Sequence, residues 1–439
     1  MVLQEVKIMS KSVYDIIGVG IGPFNLGLAA LLEPVSEINA LFLEQKSQFQ
    51  WHPGLLLDGA TIQVPFLADL VTMADPSSSF SFLNYLKAQA RLYHFYFLEH
   101  FHILRQEYNH YCQWVAEQLQ SCRFGQRVDA ISWQNGYFEV KVFDVSSQTD
   151  LAYYCHNLVL GVGSIPIVPS CLQPWLSETV FHSTNFLQHR DRCRQSQSIT
   201  VIGSGQSAAE VFYDLLQEQE TYGYRLNWHT RSPGFFPMEY SKLGLEHFSP
   251  DYIRYFHNLP PDRRDQVLAQ QSLLYKGISL STIADIYDLL YQRSIADNQP
   301  NVQLLPLVEV KEVDKIEDRY RLIYRHLQQD ERFSHDTDCV ILATGYHHVI
   351  PNFLAGIRSL IQWDEQARYS VNLDYRLALT QDIPNQIFVQ NGELHTHGVG
   401  APDLGLGAYR NSVIINTLAG KTIYPIQNRN VFQQFGIAA

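Results

Sequence analysis

A chain of 439 residues, 46% apolar and 17% charged, has the composition of an ordinary globular protein and the length for two or three domains of roughly 100–200 residues each. Its net charge of −12 argues against a nucleic-acid partner, because displacing phosphate counterions takes a basic surface; the mild bias is toward cationic ligands. Six cysteines (Cys112, Cys122, Cys155, Cys171, Cys193 and Cys339) stand without CxxC or metal-ligand spacing, so neither a redox dithiol nor a zinc site is encoded locally.

The N-terminal MVLQEVKIMSKSVYDIIGVG lacks the apolar stretch of a signal peptide, and no segment approaches the ~20 apolar residues of a membrane span; the expected compartment is the cytosol. From Val13 the chain reads as an apolar strand, a glycine turn and a helix beginning near Pro23, followed by a second strand at Leu41 to Gln45. The same succession returns in SITVIGSGQSAAEVFYDLLQE, with its second strand at Arg225 to Ser232. Two βαβ nucleotide-binding units predict an α/β protein with two Rossmann-like domains and parallel sheets. The strand-to-proline segments His156 to Pro169 and Asp338 to Pro351 read as the two crossings between them. The expected division is therefore residues 12–165 and 339–430 for a discontinuous first domain and 166–338 for the second, with a helical insertion at about 239–293.

Gly18, Gly20 and Pro23 form a GxGxxP fingerprint with Gly22 inside it. The glycines allow a tight turn and a close approach to a pyrophosphate, and the helix start presents N–H groups to the anion; proline suits that first helical position. Glu44, at the end of the following strand, is placed to accept hydrogen bonds from a ribose hydroxyl pair, so this half is expected to bind FAD. In the second fingerprint, Gly203, Gly205 and Ala208, the following strand leads to Arg231 and carries no acid at the ribose position. An acid would select NAD, whereas arginine pairs with the 2′-phosphate of NADP, and NADPH is the expected second cofactor. With no CxxC beside the flavin, electrons must pass to an acceptor other than a protein disulfide, and oxygen is the obvious one.

The segments IGVGIGPFNLGLA, FQWHPG at Phe49 to Gly54, FLADLVTMADPSSSFSFLNYL, VIGSGQSAAE, ATGY at Ala343 to Tyr346 and HTHGVGAPDLGLGAYRNS occur in order over nearly the whole chain. They resemble the flavin-dependent N-hydroxylating monooxygenases of siderophore biosynthesis, enzymes that hydroxylate the terminal amine of lysine, ornithine, putrescine or cadaverine. The resemblance implies that NADPH reduces FAD, that O₂ adds to give a C4a-hydroperoxyflavin, and that the neutral amine attacks its distal oxygen. It implies FAD contacts from Gly18, Val19, Gly20, Ile21, Gly22, Pro23, Phe24, Asn25, Leu26 and Gly27, from Trp51, His52 and Gln63, and from Pro402, Asp403 and Leu404. Gly203, Ser204, Gly205, Gln206 and Ser207, with Arg231 and Ser279, would hold NADPH, while Ala68, Leu245 and Gly405 would border the substrate. The resemblance also suggests a homodimer or homotetramer.

One departure is informative. Amino-acid hydroxylases of this family carry a lysine, which pairs with the substrate α-carboxylate, where this chain has Ala68. A charged hydrogen bond is worth ~1.5–3 kcal/mol, so an amino acid would lose its anchor here and a diamine would lose nothing. The Asn-Tyr-Ser triplet of the ornithine enzymes likewise aligns with Gly277-Ile278-Ser279, and ADLVTMADP and PDLGLGAYRNS are most similar to putrescine and cadaverine hydroxylases. The expectation is an FAD- and NADPH-dependent diamine N-hydroxylase that takes O₂ as cosubstrate, with lysine or ornithine as the alternative substrate and an NADPH-sensing flavoprotein as the non-enzyme alternative. No side chain need act as nucleophile or metal ligand, since the flavin carries the chemistry. His395 and His397 have no third ligand at zinc spacing. Glu239, Glu246, Asp251 and Asp403 are the acids available to the far ammonium of a diamine.

Overall fold

The structure, a computed structural model, describes residues 13–437; residue 12, where the first domain is expected to begin, and the N-terminal segment read for a signal peptide lie outside them. Two sheets with parallel strands at their centres organise these residues. In the first, Val13–Val19 lies between Ala40–Glu44 and Thr149–Leu160, parallel to both, and Cys122–Phe124 extends one edge. The antiparallel strands Tyr137–Asp144 and Gln126–Gln134 extend the other, while Ile387–Val389 returns from far along the chain to pair parallel with Leu158 to Leu160. The second sheet has the order Val302–Leu305, Arg225–His229, Ser198–Ile202, Cys339–Leu342, Val180–His182, every pair parallel.

Parallel strands are covered on both faces, and Ala40–Glu44 and Cys339–Leu342 read accordingly as near-continuous apolar runs rather than alternating ones. Ile16 and Ile17 are both fully buried, one toward each face, and each such side chain contributes roughly 1.5–3 kcal/mol on leaving water. The first fingerprint helix, Pro23–Leu32, is buried nearly all round because Arg105–Ala116 and Gly407–Ala419 pack against it. Its counterpart, Gln206–Tyr222, stops at Gly223, whose φ of +75° gives the left-handed C-terminal cap. An antiparallel meander of Val308–Ile316, Arg319–His326 and Arg332–Thr337 covers part of the second sheet, packing Leu322 and Tyr324 on Val340 and Leu342.

The two crossing segments lie side by side: Ile165–Pro166 pairs antiparallel with Tyr346–His347, and Thr344 Oγ1 and the Ile167 N–H tie them further, to the Ile167 and Gly345 carbonyls. The region expected to be helical contains Lys242–Leu245, Pro250–His257, Pro261–Gln270, Ser272–Tyr275 and Leu280–Arg293, closed at its base by a bridge between Pro237 and Ile278. Residues 425–437 have no regular structure and dock along the first two of these helices, with the Phe435 ring against Tyr252, Tyr255 and His247.

Candidate active site

Both glycine turns open onto one cleft of about 2290 Å³. At the first turn Gly20 has φ +87°, and a Cβ there would stand 2.6 Å from the Gly161 carbonyl oxygen, so only glycine fits. Gly22 begins the helix in extended conformation with no side-chain cap, and a Cβ on it would meet nothing within 4 Å. The first helical N–H groups therefore have no side-chain partner and face the cleft, an arrangement that suits an anion. Glu44 lies alongside, its two oxygens accepting the N–H groups of Ile21 and Lys46 at 3.0 Å each. A carboxylate has about four lone-pair sites, so it retains capacity for hydroxyl donors.

Val19 to Phe24 line the cleft, but the remaining fingerprint residues do not. Gly18 lies in the strand against Phe42. Asn25 turns inward, donating to the carbonyls of Gly20 at 2.8 Å and Val19 at 3.3 Å and accepting from Gln390 Nε2 at 2.8 Å, which locks the turn from behind. Leu26 is in the core, and Gly27 packs against the Leu70 carbonyl.

Trp51, His52 and Gln63 form the next part of the wall. The Trp51 N–H donates to Asn109 Oδ1 at 2.8 Å, and its ring meets those of His52 and Tyr108 edge-on. His52 has a left-handed backbone and packs edge-on against Tyr346, from the ATGY segment. Burial, helped by the positive charges of Arg105 and Lys46, lowers its pKa to about 4, so the imidazole is neutral at pH 7. Gln63 Nε2 is buried with no acceptor among the described residues, a donor left for something bound in the cleft.

On the other side, Gly203 has φ +143°, and a Cβ there would lie 2.1 Å from the Ala343 carbonyl oxygen. Ser204, Gly205, Gln206 and Ser207 line the cleft with Arg231, an exposed cation that has no ion-pair partner among the described residues. Ser204 and Ser232 share a hydrogen bond of 2.7 Å. Ser279 is set back: it caps Leu280–Arg293, its Oγ accepting the Thr282 N–H, while its own N–H donates to Gln206 Oε1 at 2.7 Å. Lys276, which the sequence reading omitted, also lines this side, with its carbonyl 3.4 Å from a Cβ built on Gly205.

A second residue the sequence did not reveal joins the two sides. Arg105 makes a bidentate, buried pair with Glu210 of the second fingerprint helix, at 2.8 and 2.7 Å, and donates to the Leu55 carbonyl at 2.9 Å. Gln206 Nε2 donates to the same Glu210 at 2.9 Å. The only sequence signal would be an isolated cation in an apolar context, and its partner is 105 residues away.

At the C-terminal side, Pro402 and Leu404 line the cleft; Asp403, Gly405 and Ala68 do not, and Gly405 sits beside the buried Ala68. A Cβ built on Gly405 would be 2.9 Å from Asp403 Oδ1 and 3.7 Å from the Ala68 methyl. Tyr240 donates to the Gln63 carbonyl at 3.4 Å. Leu245 is 41% exposed on the helix Lys242–Leu245 and does not reach the cleft wall. The segment is held from below by Arg410, fully buried, which pairs with Glu393 at 3.2 Å, donates to the Ala401 carbonyl at 2.6 Å and stacks on Phe24. His395 lines the cleft while His397 is buried, and their Nε2 atoms meet the carbonyls of Tyr369 and Leu373. No group of three or more metal-ligating side chains occurs among the described residues.

An uncapped helix start, an acid at the ribose position and the orphaned Gln63 donor fit a dinucleotide on the first side; the serine-rich second turn with an unpaired Arg231 fits a phosphorylated one on the other. The chain is 46% identical over 432 residues to a putrescine N-hydroxylase of Shewanella oneidensis, covering 98% of this chain and 85% of that one. It superposes with a TM-score of 0.94 on the FAD-bound cadaverine monooxygenase of the desferrioxamine pathway from Erwinia amylovora, 45% identical, covering 98% of this chain and all of that one. An ornithine N-hydroxylase from Kutzneria, solved with reduced FAD, NADP⁺ and L-ornithine, gives a TM-score of 0.87 at 28% identity, covering 93% and 99% of the two chains. The family model for L-lysine 6-monooxygenase/L-ornithine 5-monooxygenase matches residues 12–348, and the chain belongs to that family.

Proposed function

We propose that this enzyme uses FAD, NADPH and O₂ to hydroxylate one terminal nitrogen of an aliphatic diamine, putrescine or cadaverine, for siderophore assembly. The observation that carries the substrate reading is Ala68, buried and apolar beside Gly405, where an amino-acid substrate needs a cation. Left without a partner in such a site, an α-carboxylate loses a charge-assisted interaction of ~1.5–3 kcal/mol, a factor of roughly ten or more in affinity. Both relatives named for a diamine substrate support the same reading.

FAD reduced by NADPH supplies the activated oxygen, and the protein's part is to bind, orient and exclude water. Residues 19–24 with Glu44 would hold the FAD phosphates and ribose, with Gln63 donating to an acceptor on the bound group. Ser204 to Ser207, Arg231 and Lys276 would hold NADPH. The discontinuous division at residues 12–165, 166–338 and 339–430 follows this assignment, each fingerprint serving one nucleotide. His52, neutral and wedged between Trp51 and Tyr346, would shape the flavin side without carrying charge. The attacking nitrogen must be neutral, and a site that excludes water favours that form of an amine whose pKa in solution is ~10.4. We assign the enzyme to the cytosol, where NADPH is replenished, and to a dimer or tetramer. The helix Leu92–Leu98, with Tyr93, Tyr96 and Phe97 each more than 70% exposed, is the face such an assembly would cover.

The test is hydroxylamine formation from putrescine, cadaverine, lysine and ornithine compared under NADPH and FAD. Conversion of the diamines with little from the amino acids is expected. Preferred conversion of an α-amino acid would overturn the substrate assignment and leave the reaction class intact.

A further inference from the structure

Residues 51–63 lie in the chain between Ala40–Glu44 and Cys122–Phe124, two strands of the first sheet, and they carry Trp51, His52 and Gln63, the wall assigned to the flavin. Their anchorage is on the other side. Leu55 and Leu57 are buried in the core that covers the second sheet, together with Ile199, Val201 and Phe212. The backbone at Gly54 presses on the turn after Val180–His182 so closely that a Cβ there would stand 1.9 Å from the Thr184 carbonyl oxygen. The stretch that shapes the flavin side is thus packed as a part of the NADPH unit.

Arg105 closes this arrangement. Its guanidinium donates to the carbonyls of Leu55 at 2.9 Å and Thr61 at 3.5 Å, and its backbone N–H donates to that of Ala60 at 2.8 Å, so one residue grips the loop three times. The same guanidinium holds both oxygens of Glu210, and from there the hydrogen bonds continue. Gln206, which opens the helix at the second glycine turn, donates through Nε2 to Glu210 at 2.9 Å and to Thr282 Oγ1 at 3.1 Å, while its Oε1 accepts the Ser279 N–H at 2.7 Å. An unbroken set of contacts therefore runs from the helical insertion through the NADPH turn to the loop that ends in Gln63. Burial pushes the Tyr346 hydroxyl up to about 12 against the pull of the Arg105 charge, and that charge also acts on His52, so the cation stands close behind both rings.

We propose that Arg105 and Glu210 are positioning residues for flavin reduction: they fix the wall from His52 to Gln63 to the glycine turn at Gly203, and so hold FAD and NADPH in one relative placement. Neither residue acts on a reacting atom; each acts through the loop and the turn it grips. Apolar side chains of similar size would fill the same volume and leave the loop and the turn free to shift against one another. Such a shift matters, because a misplacement of about 1 Å between reacting groups costs roughly 100-fold in rate. The inference rests on the assignment of the first turn to FAD and the second to NADPH.

The test compares FAD-loaded wild type with the double variant Arg105→Met with Glu210→Leu, which removes both charges together, and with Glu210→Gln, which keeps the shape of the side chain. Anaerobic stopped-flow mixing with NADPH reads the limiting rate constant of flavin bleaching separately from the NADPH Kd. The expected result in both variants is a limiting rate constant lower by roughly 10- to 100-fold, with the Kd changed by less than about threefold. A purely structural role would reduce the fraction of protein that bleaches and leave the rate constant of that fraction alone. A second readout needs no turnover: 2′-phospho-ADP-ribose, which fills the second turn but has no nicotinamide, should tighten FAD in wild type and not in the double variant, followed by flavin fluorescence, because a shared wall links the two affinities. A limiting rate constant within about threefold of wild type in the double variant overturns the proposal, as does FAD tightening that is absent from wild type or persists in that variant. If the double variant does not fold, the same rate criterion applied to Glu210→Gln decides. Unaltered NADPH affinity in Arg231→Ala refutes instead the assignment of the second turn, an outcome distinct from either.

Discussion

Glu210→Ala removes one half of the pair that ties the two nucleotide sides together. The side chains of Arg105 and Glu210 are 10% and 6% exposed, so solvent screens them little, and two short charged hydrogen bonds of 2.8 and 2.7 Å are lost at once. The cost of breaking such a pair is dominated by the uncompensated charge left behind, which puts the loss at about 3–5 kcal/mol. Replacing both partners by apolar residues, Arg105→Met with Glu210→Leu, removes that charge and returns part of the stability. The recovery is incomplete, because the Leu55 carbonyl loses the donor it has at 2.9 Å, a hydrogen bond worth ~1 kcal/mol. Urea denaturation followed by tryptophan fluorescence measures all three proteins. A Glu210→Ala variant within about 1 kcal/mol of wild type, or a double variant less stable than the single one, would show that the pair is not the buried interaction its geometry describes.

Arg231→Ala should weaken NADPH binding roughly 10- to 100-fold and leave NADH binding unchanged, as judged by titrating each nucleotide, since the guanidinium has no other partner among the described residues. Ala68→Lys places a cation where the amino-acid hydroxylases carry one, at a position that is buried here; diamine KM should rise and the discrimination against lysine and ornithine should narrow in the product assay. Burial lowers His52, His182, His335 and His348 to about 4 and His229 to about 3. The unfolded chain takes up protons at these histidines below its ordinary pKa of ~6.5 while the folded chain does not, so they stabilise above that pH and the contribution is lost as pH falls toward 4. Asp214 and Asp403, raised to about 6 mainly by burial, act in the opposite sense, adding stability as pH falls through 6. Burial lowers His395 and His397 as well and raises Asp69, Glu107 and Glu393, so seven histidines stand against five acids; denaturation midpoints should fall between pH 6.5 and 4, and His52→Asn should flatten that decline.

Much of the architecture was legible because it rests on local signals. Apolar runs ending in glycine gave both central strands, Pro23 marked the start of the first helix, and Gly20 and Gly203 proved to be positions that only glycine can occupy. The inward turn of Asn25, Leu26 and Gly27 was not legible: a helix apolar nearly all round gives no phase from which to tell the cofactor side from the core side. Ser279 reads equally as a phosphate ligand and as a helix cap, and only the fold shows its Oγ on the Thr282 N–H. Asp69 stands in the ADLVT motif as a charge, yet it is buried and accepts the N–H groups of Val71, Thr72 and Phe82, organising a turn. Arg105 with Glu210, and Gly405 with Ala68, are juxtapositions between residues far apart in sequence, and no pattern along the chain encodes them.

The long return of the chain sets an order on its own assembly. The second sheet has all its strands once Cys339–Leu342 has been made, so that unit can close during synthesis while the first sheet is still unfinished. The first nucleotide turn must wait for Ile387–Val389 to pair beside Leu158 to Leu160, for Gln390 to reach Asn25, and for Asn411 to donate to the Phe24 carbonyl at 3.1 Å. Until then the Leu158 to Leu160 end of Thr149–Leu160 lacks its second partner and Pro23–Leu32 presents an apolar face not yet covered by Gly407–Ala419, the kinds of surface on which nascent chains associate. Soluble yield should therefore depend on events near residues 387–419, far from the turn they complete, and a flavin supplied during synthesis would act on the last stage of folding rather than the first.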